Sequence, residues 1–128
     1  MSAVQSENLP LLFAKLASGE FGVAELDFQP LTADGRTNAE IHRLYGPEQT
    51  GEGGPAAAVV RYLPGAAART HRHPGYELIY VLDGELETEA GVHPAGSLLS
   101  MEPDSVHTPR SPKGCLALVV WEQPVQPV

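Results

Sequence analysis

Tyr76-Glu77-Leu78-Ile79-Tyr80-Val81-Leu82-Asp83-Gly84-Glu85-Leu86-Glu87-Thr88-Glu89 is the stretch whose reading decides the fold. Two runs rich in apolar residues flank an Asp-Gly pair, a strong short-range sign of a β-hairpin, and a two-residue turn at 83 and 84 dictates which residues oppose each other. Leu82 then faces Glu85, Val81 faces Leu86, Ile79 faces Thr88 and Glu77 faces Ala90. One face of the ribbon collects Glu77, Ile79, Val81, Leu86, Thr88 and Ala90. The other collects Leu78, Tyr80, Glu85, Glu87 and Glu89, and its three glutamates turn it toward solvent. Glu77 is thereby aimed inward among apolar neighbours.

A buried carboxylate is costly unless it is protonated, ion-paired or bound to a metal. The residues just before it supply partners for the third option. Carrying the alternation back past Gly75 places His73 and His71 on the side of Glu77, because residues of equal parity share one face of a strand. Two imidazoles and a carboxylate from one segment can each reach a single ion at about 2.0–2.2 Å. A fourth ligand must come from another strand.

The rest of the chain is consistent with a small β domain. Its 128 residues and 13.6 kDa suit one domain with one core. Thirteen glycines and twelve prolines argue against a helical bundle. From residue 56 onward, strand-length runs alternate with turns near 64–65, 74–75, 83–84, 91, 94–96, 103–104 and 109–114, the spacing of an antiparallel sandwich or barrel. Earlier strands are expected over 23–28 and 39–45, with a turn-forming segment at 32–38 and a flexible glycine-rich loop at 46–55. Ser6 could cap a short helix through Leu11, Leu12 and Leu16, and residues 123–128 form a frayed end or an extended arm.

Charge and composition exclude several functions. A net charge of −8 repels nucleic-acid backbones and anionic membrane surfaces. The longest apolar runs, residues 56–60 and 116–121, fall far short of the roughly 18 residues of a membrane span. One cysteine, Cys115, allows neither an internal disulfide nor a cysteine-rich zinc module, and residues 9–17 lack the pattern of a signal peptide, so the expected compartment is the cytoplasm.

Gly65, His71, His73, Glu77 and Gly84 match the first cupin motif, G-x5-H-x-H-x3-E-x6-G, at every fixed position. The second motif, G-x5-P-x-G-x2-H-x3-N, keeps Gly96 and His107 but has Glu102 for the proline, Asp104 for the glycine and Ser111 for the asparagine. Aspartate tolerates the left-handed backbone that a turn glycine adopts, so Asp104 is a workable substitute. Residues 41–121 resemble the ChrR-type anti-sigma factor cupin domain through Arg61-Tyr62-Leu63-Pro64-Gly65, His71-Arg72-His73-Pro74-Gly75, Pro94-Ala95-Gly96-Ser97 and His107-Thr108-Pro109-Arg110-Ser111. The resemblance implies an all-β antiparallel double-stranded β-helix, or jelly-roll barrel, over 41–122, with residues 1–40 as lead-in and flanking strands and 123–128 as a tail. It adds His107 to His71, His73 and Glu77 as metal ligands. Residues 1–40 contain neither histidine nor cysteine, so the zinc-bearing sigma-binding function of full-length relatives is not expected here.

Three neutral imidazoles and one carboxylate leave two positions of an octahedron open, and the set suits iron, manganese, nickel, cobalt, copper or zinc. The expected activity is that of a small-molecule, dioxygenase-like enzyme with one divalent metal per chain and Glu77 as its catalytic residue. The alternatives are a metal-bearing sensor or regulatory cupin and a metal-assisted isomerase or lyase. A small-molecule substrate or ligand is the expected partner. A homodimer is also expected, partly from the resemblance and partly because Tyr76, Leu78 and Tyr80 form an outward apolar strip. His42 is expected at the surface or a pocket rim, His93 in a solvated turn and Cys115 as a small buried hydrophobe. Of Arg61 and Tyr62, only one can face inward.

Overall fold

Residues 26–32 and 35–127 are described by a computed structural model. The helix expected after Ser6 and residues 23–25 of the strand expected at 23–28 lie outside the described residues, and residues 26–28 form no strand; the first described strand begins at Gln29. The elements, in chain order, are β1 (Gln29–Pro30), β2 (Thr37–Tyr45), α1 (Pro47–Thr50), β3 (Ala56–Ala67), β4 (His71–Arg72) and β5 (Glu77–Thr88), then β6 (Gly91–Pro94), β7 (Leu98–Met101), β8 (Val106–His107), β9 (Arg110–Ser111), β10 (Cys115–Trp121) and β11 (Gln126–Pro127). The larger sheet runs β1-β2-β3-β10-β5-β6, with β7 paired to β5 and β9 to both β3 and β5; a smaller sheet runs β11-β4-β8. All strand pairs are antiparallel, as the jelly-roll reading requires.

The register of the larger sheet builds the core in rows. Ile41 pairs with Val60, Val60 with Ala117 and Ala117 with Val81, and all four are buried. One row along, Ala58 pairs with Val119 and Val119 with Ile79, and these too are buried. Burial of each large aliphatic side chain here contributes about 1.5–3 kcal/mol. The next row on the same face is Ala56, Trp121, Glu77 and Met101, so the sheet register itself delivers the Glu77 carboxylate to the inner face.

The hairpin at Asp83-Gly84 does not form. β5 runs unbroken through both residues, and Leu116 pairs with Asp83 while Ala117 pairs with Val81, which leaves Leu82 as the extra residue of a bulge. An extra residue shifts the side-chain alternation by one, as a two-residue turn does. Glu77, Ile79, Val81, Leu86 and Thr88 are accordingly all buried, as the hairpin reading required, although the strand never reverses there. Reversal comes at Glu89-Ala90, where Thr88 pairs with Gly91, and Ala90 is exposed in that turn rather than inside.

Two other segments differ from expectation. Residues 46–55 are held by internal bonds instead of forming an open loop: the Gly46 N–H donates to Gln49 Oε1 at 2.9 Å, and the Thr50 hydroxyl donates to the Pro55 carbonyl at 2.7 Å. The C-terminal tail is an extended arm at residues 126–127, which pair with Arg72 and His71 of β4.

Candidate metal centre

The first-motif segment folds as β4, a bend at Pro74-Gly75 and then β5, so His71 and Glu77 belong to different sheets. His107 ends β8, directly opposite His71 in the register. His71, His73, Glu77 and His107 are all buried, at 3%, 1%, 4% and 7% exposure. The ligand atoms of the three histidines lie within 4.8 Å of one another, and the three could hold a metal ion. His71 Nε2 and His107 Nε2 are 2.7 Å apart, and His73 Nε2 lies 2.8 Å from Glu77 Oε2. Donors at about 2.0–2.2 Å from one ion stand about 3 Å from their neighbours, so both spacings suit a shared ion.

The orientation of these groups supplies a sharper test of fit. His73 Nε2 and Glu77 Oε2 are buried and close, yet neither has a partner in hydrogen-bond alignment. Two buried polar atoms without an aligned partner are a donor set that a bound cation would satisfy. On the far side of the His71 and His73 rings the hydrogen bonds are in place, whereas His107 Nδ1 is buried with no hydrogen-bond partner among the described residues. His71 Nδ1 meets the Arg69 carbonyl at 3.1 Å, and an N–H there directs Nε2 inward as the basic atom. His73 Nδ1 meets Ser105 Oγ at 2.8 Å, and that hydroxyl donates to the Glu102 carbonyl at 2.6 Å, so it accepts from His73.

The second-motif turn holds this geometry despite its substitutions. Asp104 adopts φ 70°, the left-handed backbone expected of the glycine it replaces, and its carboxylate pairs with Arg72 at 2.8 Å. Its N–H donates to the His73 carbonyl at 2.7 Å, while the His73 N–H donates to the Ser105 carbonyl at 2.9 Å. Ser111, in place of the asparagine, is fully buried and donates to the Glu85 carbonyl at 2.6 Å.

Burial, and then the neighbouring His71 and His73, push the His107 imidazole from its ordinary 6.5 down to about 3. In the metal-free protein the fold therefore favours neutral His107, while the unfolded chain takes up a proton near pH 6.5. Stability from this group is complete above about pH 6.5 and falls as pH drops toward 3. On the alkaline side, burial raises Cys115 above 9.0 and Tyr62 above 10.0, and stability tied to their protonated forms is lost as the pH rises past those values. The urea midpoint of metal-free protein should thus be highest between about pH 7 and 9 and drop on the acid side. A midpoint that is flat from pH 7 to 4 would contradict this account.

A small cavity of about 20 Å³ touches His71, Glu77 and His107, with walls that include Val60, Ile79 and Leu86. Arg36 and Tyr62 line it too. Tyr62 is the inward member of its pair, and the positive charge of Arg36 offsets part of the effect of burial on its hydroxyl. Arg61 faces out, pairs with Glu40 at 2.8 Å and stacks over Phe28. Sequence reasoning missed Arg36, because it sits in a turn-forming stretch far from either motif and no periodicity marks its direction. A larger cleft of about 700 Å³ beside Cys115 includes none of the four ligand candidates. Cys115 is buried, as expected. His42 is half-buried at the edge, with Nδ1 on the Asp27 carbonyl. His93 lies in β6 rather than in a solvated turn, and its Nε2 is 2.9 Å from Thr88 Oγ1.

Fold, buried histidine cluster and motif turn agree with a match to the ChrR cupin-like domain over residues 22–126. The chain belongs to that family. Solved cupin structures show the same fold. An acetylacetone dioxygenase from Acinetobacter johnsonii aligns at 17% identity and TM-score 0.68, over 83% of this chain and 76% of that one. ChrR in complex with SigE from Rhodobacter sphaeroides aligns at 22% identity and TM-score 0.61, over 77% of this chain and half of the other. RemF, a polyketide cyclase from Streptomyces resistomycificus, aligns at 18% identity and TM-score 0.66, over 81% and 80%. No curated protein matches the chain. Among the described residues, no helix of this cupin is long and apolar enough to cross a membrane.

Proposed function

We propose that this cupin is a cytoplasmic, small-molecule oxygenase that holds one divalent transition metal through His71, His73, Glu77 and His107. The observation that carries the reading is the unaligned pair His73 Nε2 and Glu77 Oε2 beside the facing His71 and His107 nitrogens, at the edge of an apolar cavity. When bound, the metal supplies Lewis acidity and, if it is iron, manganese, copper or nickel, one-electron chemistry. The chain does the rest. Arg69 and Ser105 hold the imidazole tautomers, and the aliphatic walls exclude water around a space of about 20 Å³, large enough for a single water or a diatomic gas. Tyr62, held protonated by burial, is a hydrogen-bond donor at neutral pH and not a base. That favours oxygen chemistry over the proton shuttling of an isomerase or lyase, and the dioxygenase among the structural neighbours supports the same choice. Glu77, as the carboxylate at the cavity, is the catalytic residue.

The test is dioxygen consumption by the iron-loaded protein across small diketones, phenols and thiols. Glu77→Gln should lower turnover by more than its loss of metal accounts for. Family membership and the ChrR neighbour favour a second reading, a regulatory metal-binding cupin. Iron, manganese, nickel and copper forms that are all inert, with one stoichiometric protein partner recovered, would establish it. Ser105→Ala is expected to weaken metal binding about 10–100-fold, measured by chelator competition, because it frees the His73 ring to reorient. We also propose a homodimer through the face carrying Tyr76, Leu78 and Leu98, which are 54%, 43% and 67% exposed. Light scattering showing a monomer would refute it.

A further inference from the structure

A pocket of about 380 Å³, in the size range of small-molecule sites, shares His107 with the metal-side cavity. Its walls come from the unbroken stretch between Thr88 and His107, the end of β5 together with β6, β7 and β8. Leu99, Met101 and Val106 make those walls apolar. Glu89 is the one acidic side chain on them, and among the described residues no lysine or arginine lines the space. Glu85, Glu87 and Glu89 alternate with Leu86 and Thr88, and the first two have cations of their own: Glu85 lies 3.3 Å from Lys113 Nζ and Glu87 3.0 Å from Arg110. Glu89 has no such partner among the described residues. Its Oε1 instead accepts the Thr108 N–H at 3.0 Å, which fixes the carboxylate next to the chain position of His107. That bond holds the carboxyl below the usual carboxylate range, so it is ionised at neutral pH. The wall beside it is fixed as well, since Thr88 Oγ1 accepts the Ala90 N–H at 3.2 Å and lies 2.9 Å from His93 Nε2. An ionised, immobilised carboxylate on an apolar pocket, in a chain of net charge −8, attracts a cation and repels an anion.

We propose that this pocket binds a small organic amine in its protonated form, the ammonium on Glu89 and the apolar body against Leu99, Met101 and Val106. The site goes beyond the oxygenase reading and does not depend on it, because binding is measured without turnover and without metal. The full chain, as purified and after chelation, is titrated at pH 7 with benzylamine, with benzyl alcohol as the neutral match in shape, and with benzoate as the anion. Heat of binding gives the affinity, and the amide NMR signal of Thr108, whose N–H is bonded to Glu89, reports occupancy at the carboxylate. Saturable binding of benzylamine is expected in both preparations, with a shift of the Thr108 signal. Benzyl alcohol should bind about fivefold more weakly, the upper end of what an ion pair open to solvent contributes, and benzoate more weakly still. Glu89→Gln keeps an oxygen for the Thr108 N–H and removes the charge. It should bring benzylamine down to the level of benzyl alcohol and leave benzyl alcohol unchanged. The comparison of the three ligands needs no variant, so a poorly folded Glu89→Gln would not spoil the test. Equal binding of amine and alcohol, benzylamine binding that survives Glu89→Gln, no saturation by benzylamine, or a Thr108 signal that stays in place would each overturn the amine assignment. Failure of dioxygen consumption or of metal binding would count against the proposed metal centre and not against this pocket.

Discussion

Replacing His107 by alanine should empty the proposed metal centre. His107 comes from β8, while His71 and His73 come from the first-motif segment and Glu77 opens β5, so no neighbouring residue on β8 can take its place. Its Nε2 faces His71 Nε2 at 2.7 Å, and removing it takes away one of the three imidazoles in the cluster. Loss of a direct ligand should exceed the 10–100-fold that loss of an orienting hydrogen bond costs, so affinity should fall by more than about 100-fold. Metal analysis of purified protein is then expected to drop from about one ion per chain to a trace. His93→Ala is the control: it removes a histidine bonded to Thr88 in β6 and should leave the metal in place. Full occupancy in His107→Ala would mean that the second motif does not supply a ligand. The variant should also lose part of the acid sensitivity of the metal-free protein, since an imidazole held neutral by burial is gone.

A second large effect is expected at Gly84, on stability rather than on metal. Gly84 has φ +74°, and a Cβ there would collide with the Gly114 carbonyl oxygen and crowd the Cys115 backbone. Both partners are main chain and cannot swing aside as a flexible side chain would. Gly84→Ala should cost about 2–4 kcal/mol, combining left-handed strain with a backbone shift at the bulge, and lower the melting temperature by roughly 10 °C. Gly91→Ala makes the comparison clean. Gly91 also has positive φ, at +119°, but a Cβ there meets open space, so only conformational strain, on the order of 1–3 kcal/mol, should appear. Urea midpoints for the two variants separate the terms, and a Gly84→Ala protein no less stable than Gly91→Ala would remove the close approach of β5 and β10 from the account.

Gly84 also shows how a correct conclusion can rest on a wrong intermediate. Asp83-Gly84 reads as a hairpin turn because positive φ next to an aspartate is the local requirement of that turn, and a bulge within a continuous strand makes the same demand. What distinguishes them is the partner strand. β10 lies more than thirty residues downstream, and its Gly114 and Cys115 backbone fills the space where a turn would otherwise reverse the chain. Local sequence carries no signal of that distant pairing, yet the inward face came out right because both geometries offset the alternation by one residue.

The sequence by itself determined the antiparallel β class, the inward set Glu77, Ile79, Val81, Leu86 and Thr88, and the left-handed backbone at Asp104. These follow from strand periodicity and from the conformations a residue type tolerates, which act over a few neighbours. Only the tertiary structure decided that β5 continues through Gly84, that His71 and Glu77 lie on separate sheets, that residues 126–127 pair with β4, and that Arg36 lines the metal-side cavity. Each of those depends on which distant backbone arrives alongside, and the free energy that selects it comes from burial summed over rows of the whole sheet rather than from any segment read alone.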